Sequence, residues 1–409
     1  MKNRILLSAS LVTAVLALPN PLLAAENEAA PMPWGQIKLD ARFRWENVEQ
    51  KGVPEVADAK TLRTRLTYLS PTRAGFSGGL EIENVSVLGA ARFNDTLNGK
   101  TGFPVVPDPS DTLVNRAFLQ YTFPTRQKLI VGRQTLAFEN QRFVGTGGWR
   151  QNDQTFDAVT FEGAISKALS VKVARVYQIN RTVGTRSPAG TWDDTDINLA
   201  NLSWTISPTI KASGYYYRLE IPDAPAQSSS TTGVRLELRH KLGAATTLSL
   251  VADGARQKSL SGAARAYELP YYSFETAISR GPWTVNYLIE SVGGDGRSGL
   301  QFALGSNHLF NGWADKFLTT PANGLIDHAL TLQYSPPLAA KGLASVRATL
   351  SYHTFDAYKG HVHYGTEWNT LLEKDFNAHV TVGLKLADYS ADTFATDTRK
   401  VMPYVQLKY

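Results

Sequence analysis

In the stretch QIKLDARFRWEN (36–47), Ile37, Leu39, Ala41, Phe43 and Trp45 alternate with Lys38, Asp40, Arg42, Arg44 and Glu46. Successive side chains of a strand point to opposite faces, so one face of this segment is apolar and the other fully charged. The alternation recurs in Leu62, Leu66 and Tyr68 against Arg63, Arg65 and Thr67, and in Phe76, Leu80 and Ile82 against Ser77, Glu81 and Glu83. It returns in Val234, Leu236 and Leu238 against Arg235, Glu237, Arg239 and Lys241, and in Trp283, Val285, Tyr287 and Ile289 against Thr284, Asn286 and Glu290. Val362, Tyr364, Trp368 and Leu372 against His363, Glu367, Asn369 and Glu373 repeat it once more. A soluble sandwich can use such strands only with every charged face turned outward to water. A membrane barrel turns the apolar face to lipid and the charged face to a wet lumen.

The links between strands favour the barrel. Short ones fall at PTRAG (71–75), FPTRQ (123–127), GAISK (163–167), SP (207–208), LGAA (242–245), RGP (280–282), SPPLAAKG (335–342) and EKD (373–375). Between them lie longer polar links near 48–59, 87–111, 139–154, 181–195, 221–231, 254–264, 292–324, 355–360 and 389–400. Tight turns alternating with long loops are the mark of an up-and-down outer-membrane barrel. The expectation is an all-β transmembrane barrel of about eighteen antiparallel strands, or sixteen if a hairpin near 155–180 is a loop. In LSVKVARVYQIN (169–180) neither phase keeps both Lys172 and Arg175 inside, so a bulge or a position near the interface is expected there.

The two ends agree with this. The chain closes on VMPYVQLKY, an alternating strand ending in the aromatic Tyr409, suited to pair with the first strand and remove both sheet edges. Pro403 fits such a strand only near its start. Lys2 and Arg4 precede an apolar run from Ile5 to Leu18 and the small pair Ala24-Ala25, the order of a secretory signal peptide cleaved after Ala25. That divides the chain into a signal peptide, 1–25, and one barrel domain, 26–409, bound for a Gram-negative outer membrane. The expected surroundings are outer-membrane lipid and lipopolysaccharide, with the barrel assembly machinery engaging the C-terminal strand. With no Cys, disulfides, thiolate metal sites and lipid-modified Cys are excluded. The formal charge of +6 falls to about +4 without Lys2 and Arg4, and no basic run points to nucleic acid.

VGRQTLAFENQRFVGTGGWRQNDQTFDAV (131–159) and SNHLFNGWADKFLTTPANGLIDH (306–328) resemble sequences of the alginate export family of Gram-negative outer-membrane β-barrels. The resemblance implies eighteen strands and an Arg- and Lys-lined pore for anionic polysaccharide or another anionic solute. It departs at EKD, where the exporter proper carries a long periplasmic turn.

If the apolar faces touch lipid, Arg42, Arg44, Arg63, Arg65, Arg116, Arg235, Arg239, Arg347 and Lys385 point into the lumen, because a charge on the lipid side costs about 2–4 kcal/mol at the midplane. Glu81, Glu83, Glu290 and Glu367 share that face. Arg42, Arg44, Arg63 and Arg65 sit on two neighbouring strands without equal local acids, an arrangement suited to guiding carboxylates or phosphates. The competing role for them is pairing with acids to stiffen the wall. Bulky apolar inward residues, which would mark a plugged barrel, are expected to be few. The long loops carry Phe93, Phe103, Arg142, Phe143, Trp149, Arg150 and Trp313, and this aromatic load predicts that at least one of them folds into the mouth and narrows it.

Other motifs carry little. GFSGG (75–79) matches a nucleophile elbow but enters a strand instead of a helix, and GDGRSG (294–299) lacks the helix a dinucleotide site needs. His361 and His363 have no third ligand at a matching spacing. No enzyme activity, cofactor or metal is expected. The reading is a passive channel for anionic or polar solutes, anionic polysaccharide among them, against a non-conducting barrel acting through its loops as an adhesin or structural protein.

Overall fold

The computed structural model describes residues 33–260, 262, 265–337, 340 and 342–409. The expected signal peptide and its cleavage point lie outside these residues. In chain order the strands are β1 Gln36–Gln50, β2 Ala57–Leu69, β3 Phe76–Val87, β4 Asp111–Thr122, β5 Lys128–Gln134, β6 Thr155–Ala164, β7 Leu169–Asn180, β8 Thr191–Trp192, β9 Asp196–Ser207 and β10 Ile210–Glu220. They continue as β11 Ser229–Lys241, β12 Thr246–Ser259, β13 Glu268–Arg280, β14 Trp283–Val292, β15 Leu325–Tyr334, β16 Arg347–Asp356, β17 His363–Asp375, β18 Val380–Ala391 and β19 Thr398–Lys408. The two-residue β8 only extends the end of β7. The other eighteen pair antiparallel with their neighbours and close into one barrel.

Closure runs through β1 and β19. Ala41 lies opposite Leu407 and Phe43 opposite Val405, while Leu39 and Tyr409 exchange two backbone hydrogen bonds of 2.7 and 2.8 Å. Pro403 sits in the middle of β19, not near its start, and the ladder to β1 lapses between Arg44 and Asn47, where proline has no N–H to give. The turn expected at EKD lies a few residues later, because Glu373–Asp375 remain in β17 paired with β18.

Outward faces are apolar as expected, Leu66, Leu119, Val234 and Leu330 among them, and Phe76–Tyr121 and Trp283–Tyr334 ring pairs stand near the short-turn end. No bulge separates Lys172 from Arg175 in β7, whose register with β6 is continuous from Ser170 to Val176, so the two take opposite faces; the bulge of this strand falls later, opposite Asp157 and Ala158. Lys172 turns inward to Glu162 at 3.1 Å, and Arg175 turns outward near the long-loop end beside Asp196. A second bulge, at Phe355/Asp356 against His363 and Gly365, shifts Tyr364 from the expected lipid face into the lumen, where it packs on Phe317 and Phe394.

Leu330 sits midway along β15 and is 53% exposed. Leu330→Arg is expected to lower the stability of the barrel in lipid vesicles by about 2–4 kcal/mol, read as a lower denaturant midpoint. An unchanged midpoint would mean that this face does not meet lipid.

Candidate pore constriction

Three links are far longer than a hairpin needs: 88–110, 135–154 and 293–324. All three turn inward. Val144 bridges to Leu304, Gly145 donates to the Leu304 carbonyl at 2.8 Å, and the Gln154 amide reaches the same oxygen at 2.9 Å, so the second and third loops form one strapped body.

That body is tied to the basic wall of β1 and β2. Arg42 donates to Gln151 Oε1 and to the carbonyls of Gly148 and Trp149, each at 3.1 Å, and also to the Arg150 carbonyl. Arg44 reaches Asp108 of the first loop and lies 3.3 Å from Glu46. Arg63 pairs with Asp40 at 2.6 Å, and Arg65 with Glu83 and, at 2.9 Å, with Asp153. Gln151 joins the second loop to the first and to the wall: its N–H donates to Asp108 at 2.8 Å and its side-chain amide to Thr61 Oγ1 at 2.7 Å. Among the described residues Arg42 meets only carbonyl and amide oxygens, whereas the other three arginines meet carboxylates.

Asp315 is the hub beside this wall, where Lys400 of β19 and Arg150 each lie 3.5 Å from Glu46 of β1. It takes Arg150 at 2.7 Å, Lys400 at 2.6 Å and His308 Nδ1 at 2.6 Å, while His308 Nε2 faces Lys385 Nζ at 2.7 Å. The Lys385 ammonium also lies over the rings of Trp149 and Trp313, at 4.3 and 4.0 Å. Gly312, at φ +85°, makes the turn beside this hub, and any side chain there would strike the Glu367 carboxylate. Glu367 in turn accepts the Ala314 N–H at 2.8 Å.

A third anchor is Arg142, which clasps Glu290 through two bonds of 2.8 and 2.9 Å and donates to Asn311 at 2.6 Å, its guanidinium 3.6 Å from the Phe302 ring centroid. Around it, contrary to the expected scarcity of bulky inward residues, lies an apolar core. Leu136, Phe138, Phe156, Tyr215, Tyr217, Tyr271 and Leu304 are buried there, and Phe143 packs on Tyr271 and Phe302. Phe156, Tyr215, Tyr217 and Tyr271 among them are inward-facing wall residues, which the loop residues Leu136, Phe138 and Leu304 cover instead of water. Phe93 is buried with Val48, Ala57, Ala59 and Val106 at the top of β1 and β2. Phe103 lines a cavity of about 300 Å³ between the first and third loops, which Arg150, Lys316 and Lys400 also line.

Of the remaining wall charges, Arg235 touches the second loop, 3.9 Å from Glu139, and the others lie apart from the constriction. Arg116 pairs with Glu81, Arg235 with Glu237 at 2.9 Å and Asp253 at 3.3 Å, and Arg347 with Asp375 and Glu373 near the short-turn end. Arg239 is exposed near the same end. Asp108, Gln151, Asp153, His308, Asp315 and Lys400 escaped the sequence reading. The acids lie in loops whose direction no periodicity records, and Lys400 sits in β19 with an even spacing from Tyr404 that its inward parity could have revealed. Among the described residues no cluster of His, Asp and Glu could hold a metal, and GFSGG runs straight into β3.

His308 gives this body a pH dependence. An ammonium only donates, so Nε2 accepts from Lys385 and Nδ1 carries the proton donated to Asp315, leaving the imidazole neutral. Burial pushes its pKa down to about 3; Asp315 opposes this and Lys385 and Arg150 reinforce it. Asp315 is itself held well below the usual carboxylate range, burial being outweighed by His308, Lys400 and Arg150, so it stays ionised as His308 begins to matter. A released loop takes up a proton near pH 6.5, and the docked loop does not until about pH 3. Docking therefore weakens as pH falls through that window, by at most ~1.4 kcal/mol per pH unit. Conductance is expected to rise, and protease cleavage within 306–318 to quicken, between pH 7 and pH 4.5; His308→Gln should flatten both responses. A wild type indifferent to pH would remove His308 from the docking equilibrium.

No protein-family profile matches the chain, and no curated protein sequence matches it. Solved structures do. OccAB4 of Acinetobacter baumannii superposes with a TM-score of 0.71 at 14% identity, over 91% of this chain and 97% of that one. OpdK of Pseudomonas aeruginosa, determined with vanillate, gives 0.72 at 14% identity over 91% and 98%, and OpdL of the same organism 0.70 at 16% over 92% and 98%. These neighbours are outer-membrane porins of the Occ/Opd group, and the narrower likeness to alginate exporters gains no support from them. By fold the chain is a closed eighteen-stranded barrel of the kind those porins share.

Proposed function

We propose that this barrel is a passive outer-membrane channel for small anionic or polar solutes, with its lumen narrowed by 88–110, 135–154 and 293–324. The observation that carries the reading is the inward course of these loops and their attachment to the charged wall. A barrel acting through its loops as an adhesin would hold them outward, whereas here Trp149, Arg150, Trp313 and Asp315 are committed inside the cylinder. Arg42, answered among the described residues only by neutral oxygens, leaves positive potential beside the strapped loops, and a low-dielectric wall focuses such a field. Lys316 adds a second cation beside the cavity of about 300 Å³, with its pKa pushed down to about 8 by burial and by Lys400. The vanillate of the OpdK structure is a small aromatic carboxylate, and a solute of that class suits a constricted basic lumen better than a stiff polyanionic chain such as alginate. Planar-bilayer recording tests the reading: stepwise insertion of ohmic channels is expected, with current reduced by millimolar aromatic carboxylate. No current at any salt concentration would mean that the loops plug the barrel, and would favour the adhesin or structural role.

A further inference from the structure

The lipid-facing wall carries a depression of about 790 Å³ across β9 to β14. Its floor is made by Ala212 and Gly214 on β10 and by Ala252 and Gly254 on β12, in register on either side of the β11 ridge of Val234 and Leu236. Leu202 and Trp204 bound it on one side, Tyr272 and Phe274 on the other. Strands lie about 4.8 Å apart, so ridges two strands apart leave a furrow roughly 10 Å wide between their backbones, the width for one hydrocarbon chain between side chains. There are two such furrows, one on each side of the ridge.

Nothing in the protein requires the floor to be small. Gly214 and Gly254 have ordinary strand backbone, and an added Cβ would meet open space at Gly214 and only the Tyr272 ring, at 3.6 Å, at Gly254. At the long-loop end of the furrows the same registers bring together Arg218, Arg256 and Lys258. Arg218 is answered by Glu220 at 2.8 Å, but Arg256 and Lys258 share the single carboxylate Glu268, at 3.5 and 3.2 Å, and remain about 60% exposed.

We propose that this face is a binding site for a phosphate-bearing glycolipid of the outer leaflet, with two acyl chains in the furrows and a phosphate on Arg256 and Lys258. An apolar furrow alone would accept any lipid chain. The cation pair at the long-loop end, one carboxylate short of neutrality, selects an anionic headgroup and places it in the leaflet on that side. The site lies outside the lumen and is independent of what the channel passes.

The test is native mass spectrometry of the delipidated barrel titrated with bis-phosphorylated lipid A, with phosphatidylethanolamine and phosphatidylglycerol as controls. One lipid A is expected to bind at least tenfold more tightly than either control. Arg256→Glu with Lys258→Glu should bring it to the control level, and Gly214→Leu with Gly254→Leu should weaken retention at unchanged conductance. Equal binding of lipid A and phosphatidylethanolamine would reduce the face to ordinary lipid contact and overturn the proposal. Equal binding of phosphatidylglycerol would overturn the choice of glycolipid, and an adduct with the mass of a second chain, lost on filling the furrows, would make it a barrel–barrel contact.

Discussion

Replacing residues 146–152 with a short Gly-Ser linker should raise single-channel conductance several-fold and leave the heat-modifiable gel mobility of the folded barrel intact. The segment contributes the Gly148, Trp149 and Arg150 carbonyls that hold Arg42, the Gln151 amide that holds Thr61, and the Arg150 guanidinium that holds Asp315. The wall itself does not depend on it, because the ladder between β1 and β2 is continuous from Gln36 to Val48. Asp315→Asn should act in the same direction by a smaller route. It leaves Arg150, Lys400 and the His308–Lys385 pair around a neutral amide, and breaking a buried ion pair from one side costs about 3–5 kcal/mol. Unchanged conductance in both variants would place the strapped loops outside the path of the ions.

Arg63→Glu combined with Arg65→Glu should turn a channel that prefers chloride to potassium into one that prefers potassium, measured as the reversal potential in a salt gradient. The replaced groups now face Asp40, Glu83 and Asp153, so the change converts three attractive contacts into repulsive ones as well as reversing two charges. Like charges about 4 Å apart repel by roughly 4 kcal/mol near a protein surface, enough to displace the loop at Asp153 and widen the lumen too. Arg42→Gln is the sharper probe of guidance. It removes a positive charge whose described partners are neutral, and it should weaken anion preference more than Arg63→Gln, which removes one member of an existing pair. A wild type selective for cations, or one indifferent to all three changes, would make these arginines wall struts.

Of the wall, nearly all could be read in advance. A strand buried against lipid on one face and water on the other must alternate, so the phase of Ile37 to Trp45 by itself directs Arg42 and Arg44 inward. The same reasoning failed at bulges. The extra residue opposite Phe355 and Asp356 carries Tyr364 to the other face, whereas Arg175, three residues after Lys172 with no bulge between them, had to take the face opposite to it. Loop chemistry was legible only as composition: Phe143, Trp149 and Trp313 signalled that something must be covered, but their partners Tyr271, His308 and Lys385 lie on elements far away in sequence.

The basic ladder shows the same division. Four arginines on two strands read as a surplus of positive charge against Glu81 and Glu83, although Asp40 and Glu46 on the same face of β1 already meet Arg63 and Arg44. Asp108 and Asp153 arrive from loops more than 40 residues away and neutralise much of it. Sequence alone determined a barrel, its strand pairing order and the inward parity of its charges, since these follow from a period of two and from links too short to go elsewhere. Tertiary structure decided where the long loops lie, which charges they cancel and which they leave, because burial and ion pairing act between groups that meet only once the cylinder has closed.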